Sequence, residues 1–145
     1  MRLPHGGIKP RIPKKLRLDE KEIAIIDMEA GVEHFGRGID EGIDRVLLVV
    51  EPSFESIAVA EKIKGLASGL NKAVLAVLNK IDSERIALKL EGELRIRDIE
   101  IIGIIPNDSL VFEACLEGRT IGTGEAFNAA GKVFGNLLSQ SRNTD

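Results

Sequence analysis

The sequence predicts an α/β protein in which a mostly parallel sheet is flanked by helices. Four apolar runs are read as strands, and none of them alternates polar with apolar residues. Continuous runs of this kind are typical of parallel strands that helices cover on both faces. Segments with the apolar spacing of amphipathic helices separate the runs, which indicates βαβ units with right-handed crossovers. Because aromatic residues make up only 3% of the chain, Ile, Leu, Val and Ala must build the core.

Each element has a local reason in the sequence. The predicted strands are residues 23–27, 46–50, 73–78 and 99–105, and each stops at or just before a polar residue or a proline. The predicted helices are residues 53–70, 83–90, 107–116 and 124–138. The longest places its apolar side chains on one stripe, with Glu and Lys outside that stripe. Ser83, and either Asn107 or Asp108, are predicted helix caps, because their side-chain oxygens accept hydrogen bonds from free backbone amides.

Three regions are predicted along the chain, whose 145 residues are enough for one domain with a core. Residues 1–22 form a basic, proline-containing tail, residues 23–139 form the α/β domain, and residues 140–145 form a polar tail. The first 17 residues carry no acid, which suits either an arm for an acidic partner or nucleic acid, or a frayed tail. They have neither a helical period nor an aromatic residue, so we favour the tail.

The composition limits the classes of function. A net charge of −3 and the lack of Trp and Tyr argue against a nucleic-acid partner. No apolar run is long enough to span a bilayer and no secretory leader is recognisable, so a cytoplasmic protein without a membrane partner is predicted. Cys115 is the one cysteine. It has no partner for an intramolecular disulfide, and we predict a reduced, semi-buried structural thiol.

The first predicted strand ends in a residue that is suited to nucleotide chemistry. Asp27 closes the apolar run, and Gly31 follows four residues later. At the carboxyl end of a strand, such a carboxylate can hold a Mg²⁺-bound water while the glycine amide faces a terminal phosphate. An Asp that ends a strand is also a common turn former, so Asp27 by itself leaves both interpretations open.

The residues after Asp27 include possible metal ligands. Glu29, Glu33 and His34 crowd the same segment and are possible ligands for a divalent metal. The alternative is that Glu33 and His34 open a short helix that runs to Ile43, with the acid favoured near its N-terminus. We favour the helix, because the sequence does not place a third group to complete a ligand set.

Two further motifs follow predicted strands. Asn79, Lys80 and Asp82 form the pattern N-K-x-D directly after residues 73–78. GTPases use this pattern to recognise guanine, whereas a helix-starting loop capped by Asp82 or Ser83 is the structural alternative. The second motif is I-P-N-D, in which Pro106, Asn107 and Asp108 are candidate site residues. Turn chemistry alone also explains that motif, because Pro106 stops a strand and the next residue or two start a helix.

Residues 27–38, with the sequence D-M-E-A-G-V-E-H-F-G-R-G, extend the first motif and carry a family resemblance. The segment resembles the switch II region of the MinD/ParA/nitrogenase-iron-protein class of P-loop ATPases, and in particular that of the CooC-like nickel-insertion proteins for carbon monoxide dehydrogenase. The resemblance implies a Rossmann-like P-loop NTPase domain, a switch role for Asp27 and Gly31, and ATP or ADP with Mg²⁺ as ligands. It further implies that Asn79 contacts adenine, and that the I-P-x-D backbone lies along the base. The N-K segment is accordingly expected to favour adenine over guanine.

The sequence departs from that class at the phosphates. It contains no G-x-x-x-x-G-K-[ST], and Lys132 is followed by Val133 rather than by Ser or Thr. The family's signature lysine, first switch aspartate and Cys-x-Cys pair are also absent. Since the resemblance covers residues 23–130, we expect the second half of such an ATPase, truncated before these residues and lacking the first strands. Phosphoryl transfer depends on positioning and charge neutralisation, so hydrolysis by this chain alone is not expected.

Three hypotheses of function follow. In the first, the chain is a split subunit that completes a nucleotide site with a phosphate-loop subunit, in the service of nickel delivery to a carbon monoxide dehydrogenase-like enzyme. In the second, it is a non-catalytic interaction module. In the third, it is a gene remnant. In each case the isolated chain is expected to bind ATP or ADP weakly or not at all.

The absence of the phosphate-loop strand leaves two possible arrangements of the sheet. Either residues 23–27 pair directly with residues 46–50, or an edge stays exposed and the chain self-associates or recruits a partner.

Overall fold

The computed structural model describes residues 18–19, 22–28 and 43–141. The chain divides into two compact units, Met1–Ile43 and Asp44–Asp145. All helices and strands among the described residues belong to the second unit. Their order is β1 (Arg45–Val50), α1 (Phe54–Ser68), β2 (Ala73–Ile81), α2 (Glu84–Ile96), β3 (Glu100–Pro106), α3 (Ser109–Glu117) and α4 (Glu125–Ser141). The predicted α/β class is confirmed.

The described strands form a parallel sheet in the order β1-β2-β3. In this sheet Leu47 is paired with Leu75, and Val49 with Val77. The predictions for residues 46–50, 73–78 and 99–105 are confirmed within one or two residues, except that β2 continues to Ile81. The central position of β2 in the sheet explains why residues 74–78 are all apolar, because these five successive residues are buried.

The predicted strand at residues 23–27 is wrong. The described residues 22–28 have no regular secondary structure, and Ile23 and Ile25 expose 51% and 72% of their surface. A strand exists only when another strand accepts its hydrogen bonds, and an apolar run specifies no such partner. The alternative in which this segment pairs directly with β1 is therefore also wrong. Asp27 lies in this segment, so it does not close a strand as predicted.

The helices begin where the sequence predicts. The Ser53 and Ser83 side chains accept hydrogen bonds from the amides of Ser56 and Ile86 and so cap α1 and α2. The carboxylate of Asp108 caps α3, which decides between the two predicted candidates. Helix α2 runs six residues beyond its predicted end at Leu90, to Ile96. Its last turns include Leu94, which is completely buried.

Helices cover the two faces of the sheet unequally. Helices α1 and α2 pack on the face that carries the buried residues Leu48 and Val50 of β1. Helix α4 packs on the opposite face over β3, where Val133 contacts Leu75, Val77 and Ile102. Strand β3 contacts both α2 and α4, whereas β1 contacts α1. Such two-sided contact is possible because successive side chains of a strand point to opposite faces.

A glycine in β3 lets α4 approach closely. A Cβ atom at Gly103 would lie 2.5 Å from Cγ2 of Val133, so any larger residue would push the helix outward. The side-chain amide of Asn136 donates a hydrogen bond of 2.8 Å to the carbonyl of Ile102 on the same strand. This pair of contacts fixes α4 over β3.

The outer side of β1 is an apolar edge in the described part of the chain. Only β2 pairs with β1 there, and Leu47 and Val49 expose 39% and 59% of their surface on the face that α4 covers further along the sheet. Native proteins usually cover, charge or pair an edge of this composition.

No helix among the described residues is long and apolar enough to cross a bilayer.

One prediction about the cysteine is wrong. Cys115 is exposed, not semi-buried. In α3 the buried residue is its neighbour Ala114, which turns toward the body of the unit and leaves Cys115 on the outer side. A short helix with one inward position cannot bury two consecutive residues.

Candidate functional site

The three parallel strands bring the sequence motifs to one edge of the sheet. The strands end at Val50, Ile81 and Pro106, and in a parallel sheet these carboxyl ends lie side by side. Glu51, the segment Asn79 to Asp82 and the segment Pro106 to Asp108 therefore meet at this edge. In open α/β sheets, ligands bind outside the carboxyl ends of the strands. We call this region the carboxyl edge.

The end of β2 is distorted at the N-K pair. The register of β2 against β3 shifts between Leu78 and Ile81, which leaves Asn79 and Lys80 in a bulge. Lys80 has a φ of 57°, an uncommon conformation for a residue with a Cβ atom. Its ammonium forms an ion pair of 2.7 Å with the Glu51 carboxylate at the end of β1. Bulges next to functional sites re-aim side chains, and here the re-aimed residues are the two of the motif.

A hydrogen-bonded bridge joins the ends of β2 and β3. The backbone amide of Asn107 donates to the carbonyl of Ile81 at 3.0 Å. Its side-chain amide donates to Oδ1 of Asp82 at 2.8 Å. The two strand-end motifs are thus one connected cluster, although they lie 25 residues apart in sequence. A base that needed both oxygens of Asp82, as guanine does, would share Oδ1 with Asn107.

The carboxylate of Asp108 connects two helices. Its Oδ1 accepts from the amide of Leu110 at 3.0 Å, at the start of α3. Its Oδ2 accepts from the amide of Ala126 at 3.0 Å, at the start of α4. These backbone amides lower the pKa of the Asp108 carboxyl below its ordinary value. Gly124 has a φ of 112°, and a Cβ atom there would lie 2.6 Å from Oδ2.

Replacement of Asp108 by Asn is expected to destabilise the fold in a pH-dependent way. The lowered pKa means that the charged carboxylate stabilises the folded state above the ordinary pKa of 3.8, and that this contribution is lost as the pH falls through the folded-state value. Since an amide can accept at one atom only, one helix loses its cap. Thermal unfolding at pH 7 should show a melting temperature lower by about 4 to 8 °C, and the difference should shrink at pH 3. Asp98→Asn, at a side chain that is 99% exposed, is the control, and an equal effect of the two substitutions would contradict this role.

An open depression lies beside the bridge. It has a volume of about 560 Å³ and is lined by Asn107, Asp108, Ser109, Phe112 and Glu113. The ring of Phe112 is 67% exposed at this position. The depression therefore combines polar groups from the end of β3 with an aromatic ring from α3.

The predicted switch residues belong to the first unit of the chain. Asp27 is described in that unit, and Gly31, Glu29, Glu33 and His34 lie outside the described residues, as does the predicted helix that ends at Ile43. In the described part of the chain, no three His, Cys, Asp or Glu side chains converge as a metal site would need. Protein-bound Mg²⁺ often takes only one or two carboxylates together with nucleotide phosphates, so the donor chemistry of Asp27 fits that ion.

Sequence reasoning missed one residue of the carboxyl edge and two residues of the depression beside it. Glu51 lies directly after β1, as the N-K motif lies at the end of β2. The rule that polar residues at the ends of parallel strands meet at one edge would have identified Glu51 from the sequence. Phe112 and Glu113 lie one turn into α3, and only the three-dimensional arrangement places them beside Asn107. Of the predicted residues, the structure brings together Asn79, Lys80, Asp82, Pro106 and Asn107.

Comparisons with known proteins find relatives that are ATP-binding proteins. The chain is 36% identical over 118 residues to an uncharacterized ATP-binding protein of Methanocaldococcus jannaschii, a match that covers 81% of this chain and 46% of that protein. It is 40% identical over 110 residues to the carbon monoxide dehydrogenase accessory protein CooC of Rhodospirillum rubrum, covering 74% of this chain and 41% of CooC. It is 24% identical over 133 residues to the septum site-determining protein MinD of Synechocystis, covering 88% of this chain and 50% of MinD.

No family model matches the chain. The chain spans about half the length of the relatives that it matches.

Proposed function

The chain belongs, over the part that it matches, to the class of ATP-binding proteins that includes CooC and MinD, and on that premise we propose that its carboxyl edge forms the base-binding side of an adenine-nucleotide site. The observation that carries this proposal is the hydrogen bond between Asn107 and Asp82. It joins two motifs at the carboxyl ends of adjacent parallel strands, where α/β proteins bind nucleotides. The bulge at Asn79 and Lys80 lies in the same place.

Within this site we assign the contacts of the base. The Asn79 side-chain amide offers a donor and an acceptor to the edge of adenine. The backbone from Pro106 to Asn107 lies along the base. Lys80 is paired with Glu51 and holds the ends of β1 and β2 together rather than the base. Asp108 supports the site indirectly, because it fixes the starts of α3 and α4.

The base choice can be tested by competition between ATP and GTP. We expect the chain to prefer adenine, because its relatives are ATP-binding proteins and Asn107 already takes up part of the acceptor capacity of Asp82. Asn79→Ala should weaken adenosine binding about 3- to 10-fold, which corresponds to one ordinary hydrogen bond. The measurement is an NMR titration with each nucleoside and nucleotide. Asn128→Ala, on the exposed side of α4, is the matched control and should bind as the unchanged chain does.

The opposite outcome has a clear signature. If GTP were preferred and Asp82→Ala abolished that preference, the N-K-x-D motif would act as it does in GTPases. The proposal for adenine would then be wrong, whereas nucleotide binding at the carboxyl edge would stand.

The phosphate side of the site requires residues that these 145 do not contain. The sequence has no phosphate-loop motif, so we propose that the β- and γ-phosphates are held by a complementary segment. Asp27 would then hold a Mg²⁺-bound water and the Gly31 amide would face the terminal phosphate, as in the resembling switch region. When bound, Mg²⁺ neutralises phosphate charge.

The outer edge of β1 is the proposed place for a partner. Leu47 and Val49 are exposed there, and the backbone of β1 has hydrogen-bonding groups for a further strand. We propose that the complementary phosphate-binding segment, or a second copy of this chain, covers this edge. Covering the edge would place that segment beside the carboxyl edge, where the nucleotide's base is bound.

The client of the nucleotide site is proposed from one relative. CooC of Rhodospirillum rubrum is by name an accessory protein of carbon monoxide dehydrogenase. We propose that this chain likewise serves the maturation of a carbon monoxide dehydrogenase-like metalloenzyme, with nickel as the cargo and ATP as the ligand that drives the cycle. The 40% identity over 110 residues supports this client over the cell-division role named for MinD, whose identity is 24%.

A further inference from the structure

We infer that the ring of Phe112 stacks on the face of the bound base, so that α3 supplies an aromatic wall to the nucleotide site. The inference rests on the function proposed above and adds a residue that neither strand-end motif contains. It concerns one ring and one class of ligand, a planar nitrogen heterocycle.

The exposure of Phe112 is the first observation. Its surface is 67% exposed although α3 is well formed and capped at both ends. A phenyl ring has no polar atom to offer water, so it gains stability only when another apolar or planar surface covers it. An exposed ring at the rim of a depression is therefore a candidate contact for what fills that depression.

The placement of the ring is the second observation. Ser109, Phe112 and Glu113 are spaced so that they share one face of α3. That face lines the depression together with Asn107 and Asp108. Asn107 in turn donates its hydrogen bond to Asp82 at the end of β2. Phe112 thus lies in the same depression as Asn107, and Asn107 is hydrogen-bonded to Asp82 at the end of β2.

The chemistry of a base fits this combination. Bases stack on aromatic side chains through their flat faces, and every base has such a face. Stacking on Phe112 would therefore contribute affinity, whereas the choice of base would depend on the polar groups at Asn79 and Asp82. Leu116, one turn further along α3, is 73% exposed. A protein partner that covered α3 would contact both Phe112 and Leu116. Such a partner is therefore the alternative to a stacked base that the test must distinguish.

The composition of the chain makes the test direct. The sequence contains no Trp and no Tyr, so Phe112→Trp introduces a single strong fluorophore at the site. Titration with AMP and ATP should quench its emission, with the same midpoint as NMR shifts of the Asn79 amide. Phe134→Trp, at a ring that is 45% exposed on α4, should show no change.

A second variant separates stacking from apolar bulk. Phe112→Leu keeps an apolar side chain but removes the π-face, and it should weaken adenosine binding about fivefold or more. Circular dichroism would verify that each variant is folded.

Each outcome decides the matter. Nucleotide binding at Asn79 with unchanged fluorescence at position 112, and with full affinity of Phe112→Leu, would overturn the stacking inference and leave the proposed function intact. Absence of any nucleotide binding at millimolar concentrations would overturn both. Quenching of the Phe112→Trp emission together with weakened binding by Phe112→Leu would support both.

Discussion

ATP and adenosine are expected to bind the isolated 145-residue chain with nearly equal, weak affinity. The carboxyl edge offers contacts to a base, but the sequence contains no phosphate loop whose amides and lysine could hold the β- and γ-phosphates. Contacts to the base alone orient a ligand more than they hold it. We expect dissociation constants of about 0.1 mM or weaker, and within about threefold of each other for ATP, ADP, AMP and adenosine.

Calorimetry and NMR titration of the four ligands measure this effect. Equal affinities would show that the phosphates find no partner in the chain, whereas affinity that rises with each phosphate would reveal a phosphate site. Sub-micromolar binding of ATP would contradict the expectation outright, because base contacts cannot supply so much free energy without the phosphates. Asn79→Ala serves here as the variant in which all four affinities should fall together.

Replacement of Leu94 by Ala is expected to remove a large share of the stability of the folded unit. Leu94 lies on α2 with none of its surface exposed, where the helix packs on β2 and β3. Truncation of a fully buried leucine costs about 2 to 5 kcal/mol, because lost burial and a residual cavity add together. The whole stability of a domain is commonly about 5 to 15 kcal/mol. Urea unfolding followed by circular dichroism measures the loss.

The same helix provides a matched control. Leu88 is 60% exposed on α2, and Leu88→Ala makes the identical chemical change in a helix that tolerates Ala well. Its effect should stay within about 0.5 kcal/mol. If Leu88→Ala and Leu94→Ala cost the same, α2 would not pack on the sheet through the face that contains Leu94.

The elements of the sheet unit were largely predictable from the sequence. The apolar runs at Val46, Val74 and Ile101 form strands, because continuous apolar runs are typical of parallel strands that helices cover. The caps at Ser83 and at Asn107 or Asp108 were predictable for a different reason, since capping depends on a side chain and amides only two or three residues away. The structure selects Asp108. Local chemistry of this kind is visible in any single sequence.

The segment at residues 23–27 shows where such reasoning stops. It has the same apolar, β-branched character as β1, yet it is not a strand in the structure. A strand is completed by hydrogen bonds to a second strand, so its existence is a property of the pair and not of the run. The family resemblance of residues 27–38 predicted the class of protein and could not supply that partner.

The sequence by itself determined the α/β class, the helix caps, the motifs at the strand ends and the resemblance to ATP-binding proteins of the CooC and MinD class. Only the tertiary structure decided that Asn107 binds Asp82, that the Asp108 carboxylate spans the starts of α3 and α4, and that Phe112 lines the depression. The physical reason is the range of the interactions. Caps, turns and periodicity act over a few residues, whereas the contacts of the site join groups that lie 18 and 25 residues apart and meet only when parallel strands align their carboxyl ends.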